Sequence, residues 1–206
     1  MTDHNTLRFY EENALDYSRS TSFRSMDDSL VPFSKLVAPG GSVIDLGCGS
    51  GRDLVSFLRQ GFRPVGLDLS RNLAEIAAQI SDCPVVIGDL SSPPFADSSF
   101  DAAWASASLL HLRVDELPLA LLEVARIVRP LGVFFSSVKA GHSSSRDADG
   151  RLFTYYGENE WRVRLEEAGF SVLDLRITAQ DSPRRDNDKW ISCVARRNGS
   201  VQKEKK

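Results

Sequence analysis

The stretch Ser42-Val43-Ile44-Asp45-Leu46-Gly47-Cys48-Gly49-Ser50-Gly51-Arg52-Asp53 constrains this chain more than any other. An apolar run closes on an acid, and glycines follow at every second position. Such a run reads as a strand buried in a parallel sheet, and the residues from Arg52 onward read as the start of a helix. Alternate glycines at that junction let the backbone turn sharply and let a ligand approach with no Cβ in the way. A nicotinamide-binding turn, G-x-G-x-x-G, would place its third glycine one residue later. Here the pattern is D-x-G-x-G-x-G, so a nicotinamide oxidoreductase is a poor reading.

The rest of the chain continues the alternation. Leu54, Val55 and Leu58 stripe a helix that runs to Gln60, with Gly61 as its C-cap. Arg63 to Asp68 reads as a second strand ending in an acid. Ser70 is placed to cap a helix whose Leu73, Ile76, Ala77 and Ile80 share one face. Pro84 to Ile87, Phe100 to Ala105 and Gly132 to Val138 read as strands three to five. Leu117, Leu121, Val124 and Val128 stripe a helix expected to stop at Pro130. Glu158 to Ala168 is a further helix. Phe170 to Thr178 and Trp190 to Arg196 are two more strands joined by a loop alone, so one of them should be antiparallel. The expected fold is α/β and Rossmann-like: a mostly parallel seven-stranded sheet with one antiparallel strand and helices on both faces.

The ends carry other signals. Leu7, Tyr10, Ala14 and Tyr17 lie on one face of a helix, and a second helix is expected from Ser25 to Val37. Residues 1–38 thus read as a helical lid on a single domain spanning 1–197. Gly141 to Gly150 reads as a mobile loop and 198–206 as a disordered tail. A net charge of −3 offers no general reason to bind nucleic acid, and no apolar run reaches the length of a membrane span. Three scattered cysteines without a C-x-x-C suit a reducing cytoplasm and argue against a disulfide framework or a metal site.

In open α/β sheets ligands bind beyond the carboxyl ends of the strands. Those ends carry Asp45 to Gly51, Asp68, Asp89-Leu90 and Ala105 to His111. A carboxylate such as Asp68 can accept from both hydroxyls of a ribose. The blocks VIDLGCGSGRD, GLDLS, VIGDL, SSFDAAWA, SLLHL and VRPLGVFF, in that order and spacing, resemble class I S-adenosylmethionine-dependent methyltransferases of the small bacterial type. The resemblance implies S-adenosylmethionine as cofactor and S-adenosylhomocysteine as product. It also implies that Asp45, Gly47, Cys48, Gly49 and Gly51 line the methionine end, and that Asp68 holds the ribose with Leu69 near the adenine. Asp89 and Leu90 would address the adenine ring, and Ser106 would lie beside the cofactor. Leu131 stands where the family's P-G-G turn has its first glycine.

His111, after strand four, is the candidate catalytic base, since an imidazole titrates near neutral pH. Tyr10, Tyr17, Arg52, Tyr155 and Tyr156 are the candidate acceptor-binding residues. The expected acceptor is a small molecule and the expected state a monomer or weak homodimer. The FTYY, EEAGF and KWISCVARR segments also faintly resemble methyltransferases acting on tRNA wobble uridines, with Arg184, Arg185 and Lys189 as a local basic patch. A non-catalytic cofactor-binding subunit is the third reading.

Overall fold

The computed structural model describes residues 3–182 and 185–199, and the side chains of 3–179 and 189–199 among them. The expected tail lies outside the described residues from position 200 onward, as does Arg184.

Helices α1 (His4–Glu12), α2 (Ala14–Thr21) and α3 (Asp27–Ser34) precede the sheet. The glycine-rich stretch joins β1 (Ser42–Leu46) to α4 (Arg52–Arg59). Then come β2 (Arg63–Asp68), α5 (Arg71–Ser81), β3 (Val85–Ile87), β4 (Phe100–Ser106), a 3-10 turn at Leu109–His111, α6 (Leu117–Ile127) and β5 (Val128–Lys139). A small hairpin of β6 (Ser144–Arg146) and β7 (Leu152–Thr154) leads to α7 (Glu158–Glu167), β8 (Phe170–Ser182) and β9 (Arg185–Arg197).

The main sheet has seven strands in the order β3-β2-β1-β4-β5-β9-β8. Strands β1 to β5 pair in parallel, and β9 runs antiparallel between β5 and β8. The order therefore reverses between β1 and β4, which opens a crevice above their carboxyl ends. Pleating sends alternate residues of β5 to opposite faces. Phe135 stacks on Trp104 with centroids 3.8 Å apart, over Phe33 and Phe57 from α3 and α4. Its neighbour Phe134 joins Ile44, Leu121 and Trp161 in the layer beneath α6 and α7. No helix among the described residues is long and apolar enough to cross a membrane.

Three local expectations change. The amphipathic N-terminal stretch is two helices, α1 and α2, meeting at Asn13. Helix α6 ends at Ile127, not Pro130, because the chain enters β5 at Val128 and takes Pro130 and Leu131 through a bulge between the Phe100–Val128 and Ala102–Val133 pairs. Leu131 adopts φ 65° there, a left-handed conformation that a Cβ disfavours. Finally, the loop expected to be mobile contains β6, paired antiparallel with β7. Across its turn Arg151 holds Asp147 at 2.7 and 2.9 Å, and Arg146 reaches Asp3 near the N-terminus at 2.6 and 3.0 Å. That partner is 143 positions away, so local composition could not reveal it.

Candidate active site

The glycine loop is shaped by close contacts. A Cβ on Gly47 would stand 2.4 Å from the Ser108 Cβ, and one on Gly51 would stand 2.9 Å from the Ala77 backbone. Both glycines also have φ above 70°, so a side chain at either would be strained and crowded. The Gly49 N–H donates to one oxygen of Asp68 at 2.8 Å, and the Ser70 N–H donates to the other at 2.9 Å. Asp68 thereby fixes the loop to the start of α5, whose first turn the Ser70 hydroxyl caps. Burial pushes the Asp68 carboxyl up to about 6, against the pull of these N–H donors.

Behind the loop, Asp53 accepts two bonds from Arg52, at 2.7 and 2.9 Å, and one from the Trp104 indole at 2.9 Å. Asp45 beside it is 2% exposed, and its Oδ2 has no hydrogen-bond partner among the described residues. Burial and then the Asp53 charge hold its carboxyl well above the usual range. An isolated buried carboxylate is costly, so this oxygen suits a cationic or N–H-bearing group.

Helices α1 and α2 roof the crevice. Tyr10 and Tyr17 meet edge to face with centroids 5.1 Å apart, and Tyr17 overhangs Gly49. Three ties hold the roof down. Glu11 accepts from the Arg71 and Asn72 N–H groups, at 2.6 and 3.2 Å, at the positive end of α5. The Leu152 N–H donates to the Thr6 hydroxyl at 2.8 Å, and Arg146 clasps Asp3. Arg151 lies over the Phe9 ring, 4.3 Å from its centroid.

His111 sits under this roof with both ring nitrogens engaged. Nδ1 is 2.7 Å from the Leu152 carbonyl, and Nε2 is 2.9 Å from the Tyr10 hydroxyl. A carbonyl only accepts, so Nδ1 carries the proton. Burial pushes the imidazole down to about 4, which leaves Nε2 as an acceptor for the Tyr10 O–H. For Tyr10 and Tyr17, burial pushes the phenol upward, so both stay protonated.

The cavity beneath the roof measures about 120 Å³ and is partly open to solvent. Gly47, Gly49, Asp68, Leu69, Asp89, Leu90, Ser106, Tyr10, Tyr17 and His111 line it, so most of the residues expected from the sequence converge. Asp45, Cys48 and Gly51 stand behind its wall. Burial pushes the Cys48 thiol far up, away from any nucleophilic role.

Three acceptor-side expectations fail on placement. Arg52 is turned onto Asp53. Tyr156 is fully buried, 5.0 Å from Trp161 between ring centroids. Tyr155 lies outside the cavity wall, with the Lys139 ammonium 5.9 Å from its ring. Sequence reasoning missed Thr6, Leu7, Ser70, Leu73 and Leu112, which also line the cavity, and it covered Ala107 and Ser108 only within the Ala105 to His111 strand end. Leu7 and Leu73 were legible as members of apolar helix faces, but nothing marked them as facing a ligand.

A family model described as a methyltransferase domain matches residues 44–136, from β1 through most of β5. An uncharacterized methyltransferase of Synechocystis is 30% identical over 158 residues, covering 71% of this chain and 74% of that one. This chain belongs to the class I S-adenosylmethionine-dependent methyltransferases. A malonyl-[acyl-carrier protein] O-methyltransferase of Erwinia pyrifoliae is 37% identical over 102 residues, which are 48% of this chain and 38% of that one. The chain spans 38 to 57% of the length of the first curated relatives it matches.

Among solved structures, the 1,6-didemethyltoxoflavin-N1-methyltransferase of Burkholderia thailandensis superposes with a TM-score of 0.75 at 23% identity, covering 93% of this chain and 85% of that one. It was crystallised with 1,6-didemethyltoxoflavin and S-adenosylhomocysteine, and the likeness shows that this methyltransferase family member shares its fold.

Proposed function

We propose that the cavity binds S-adenosylmethionine and directs its methyl group to a small-molecule acceptor. The observation that carries this reading is the unmet Asp45 oxygen behind a glycine cradle that admits no Cβ at Gly47, with Asp68 at the tip of the adjacent strand. Asp45, Gly47, Cys48, Gly49 and Gly51 would hold the methionine portion. Asp68 would take the ribose hydroxyls, Leu69, Asp89 and Leu90 the adenine, and Ser106 the flank. When bound, the cofactor supplies an electrophilic methyl group on a sulfonium centre, so positioning accounts for much of the rate.

The chain's own contribution is to place the cofactor. The Tyr10–Tyr17 pair roofs the cavity, and a cationic cofactor would favour ionisation of the buried Asp45 carboxyl. His111 lies at the acceptor end, next to Ser106 to Ser108. In this closed arrangement its Nε2 is committed to Tyr10, so any base role of His111 runs through a shift of the Tyr10 hydroxyl. Relatives that carry named small-molecule activities support a small acceptor.

Calorimetry with S-adenosylmethionine, S-adenosylhomocysteine and NAD tests the cofactor assignment. Micromolar binding of the first two and none of NAD is expected; NAD binding alone would end the reading. Incubation with methyl-labelled cofactor and separate metabolite and tRNA pools then tests the acceptor. Label appearing in the small-molecule fraction supports the proposal, whereas label confined to tRNA refutes it. Cofactor binding with no transfer to either pool refutes turnover and leaves a binding subunit.

A further inference from the structure

The acceptor end of the cavity carries a hydrogen-bond chain of fixed polarity. The Leu152 carbonyl takes the Nδ1 proton of His111, and the bare Nε2 takes the one proton of the Tyr10 hydroxyl. Tyr10 Oη is therefore left with lone pairs only; the Arg151 guanidinium donates toward one of them, which leaves one for a ligand. On the same cavity wall, the Ser108 hydroxyl is 8% exposed and has no hydrogen-bond partner among the described residues. Its Cβ is the atom that excludes a side chain at Gly47, which sets it directly against the glycine loop. Buried hydroxyls nearly always find a partner, so this one marks where a ligand's polar group belongs.

Charge divides the cavity as well. The charged side chains among its described lining residues are Asp68 and Asp89, beyond the tips of β2 and β3. Leu7, Ala107 and Leu112 also line the cavity, and the Arg151 guanidinium lies 5.8 Å from the Tyr10 ring centroid.

We propose that the reacting group of the acceptor is an uncharged hydroxyl or N–H group, donating to Tyr10 Oη and held by Ser108 Oγ. His111 is a positioning residue: it turns the Tyr10 proton away from the cavity and makes that oxygen acceptor-only. The inference rests on the reading that the glycine-loop end holds the methyl donor. It excludes acceptors without a hydrogen on the reacting atom, a carboxylate among them, because an acceptor-only oxygen has nothing to donate to them.

The test is calorimetry on the full chain saturated with S-adenosylhomocysteine, with phenol, anisole and benzoate as probes. Phenol should bind at least about tenfold more tightly than anisole, the factor expected for one buried hydrogen bond, and benzoate should bind more weakly than phenol. Tyr10→Phe keeps the ring against Tyr17 and should bring phenol and anisole within about twofold of each other, since the acceptor oxygen is gone. Ser108→Ala should weaken phenol by about tenfold. His111→Ala should also narrow the phenol-to-anisole ratio, because Tyr10 then regains a proton to donate to the ether oxygen; a residue serving only the packing would leave that ratio unchanged. Anisole or benzoate matching phenol, an unchanged ratio in Tyr10→Phe, or no phenol binding overturns the proposal. The S-adenosylhomocysteine titration that precedes each run is a separate readout: its failure would sink the donor assignment, whereas its success with no preference for phenol sinks the acceptor assignment alone.

Discussion

If Asp68 holds the cofactor ribose as proposed, its carboxyl makes cofactor binding a function of pH. Burial lifts the group to about 6 in the free protein, although two backbone N–H groups already bond its oxygens. Ribose hydroxyls donating to it favour the charged form, so the bound state prefers carboxylate. Above pH 6 the site is ready, and affinity is full. Each unit below 6 then costs about tenfold in affinity, so a titration at pH 5 should show a dissociation constant roughly ten times that at pH 8. Folding runs with the opposite sign. A carboxyl raised above its ordinary value contributes stability that is present below about 4 and lost as pH rises through about 6, where its bare charge is buried. The thermal shift produced by S-adenosylhomocysteine should accordingly be larger at pH 8 than at pH 5. Calorimetry between these limits, repeated on Asp68→Asn, decides the matter. The variant should bind more weakly but with a flat pH profile. A flat profile in the unsubstituted chain, or a step near 6 that survives in Asp68→Asn, refutes the assignment.

Other outcomes follow from single contacts. Gly51→Ala should destabilise the fold by about 2 kcal/mol or more, because it combines a left-handed backbone with a clash against Ala77; urea unfolding would show it as a lowered midpoint at unchanged slope. Leu131→Gly should instead stabilise by about 1 kcal/mol in the same assay, since Leu131 holds φ 65° while most of its side chain is exposed. Trp104→Phe removes one of two donors to Asp53 Oδ2, Arg52 keeping the other, and should cost about 1 kcal/mol in that assay; a change within experimental error would show that the indole bond is dispensable. His111 should keep the Nδ1–H neutral form from pH 8 down to pH 5 in nitrogen-15 spectra, and a protonated ring at pH 6 would contradict its buried setting.

Much of this molecule is local physics and was legible in the chain. The apolar run from Val43 to Leu46 is flanked by turn residues and leads into a helix, and that arrangement suffices for β1, the loop and α4. Ser70 announced the start of α5, since a hydroxyl before an apolar periodic run satisfies otherwise orphaned N–H groups. The D-x-G-x-G-x-G spacing and the acids at the strand ends, Asp45 and Asp68, pointed to the part of the crevice where Gly47, Gly49 and Asp68 now line the cavity. Boundaries were weaker where two signals compete. Pro130 looked like the end of a helix but lies in a bulge, because sheet pairing on both sides of it took over.

The proposed acceptor end exists only in the tertiary structure. Tyr10 meets His111 across 101 positions, and Leu152, which orients His111 through its carbonyl and grips Thr6 through its N–H, is 41 positions beyond His111 and 146 beyond Thr6. No spacing rule connects such residues; they come together because parallel strands deliver their loops to one edge of the sheet while the N-terminal helices and the β6–β7 hairpin fold over it. The same closure turned Tyr155, Tyr156 and Arg52 away from the cavity and brought Ser108 into it. Sequence determined which donor this chain is shaped to hold, because backbone turns and single carboxylates do that work within one strand–loop–helix unit. What faces the transferred group depends on contacts between distant segments, and those exist only once the chain has packed.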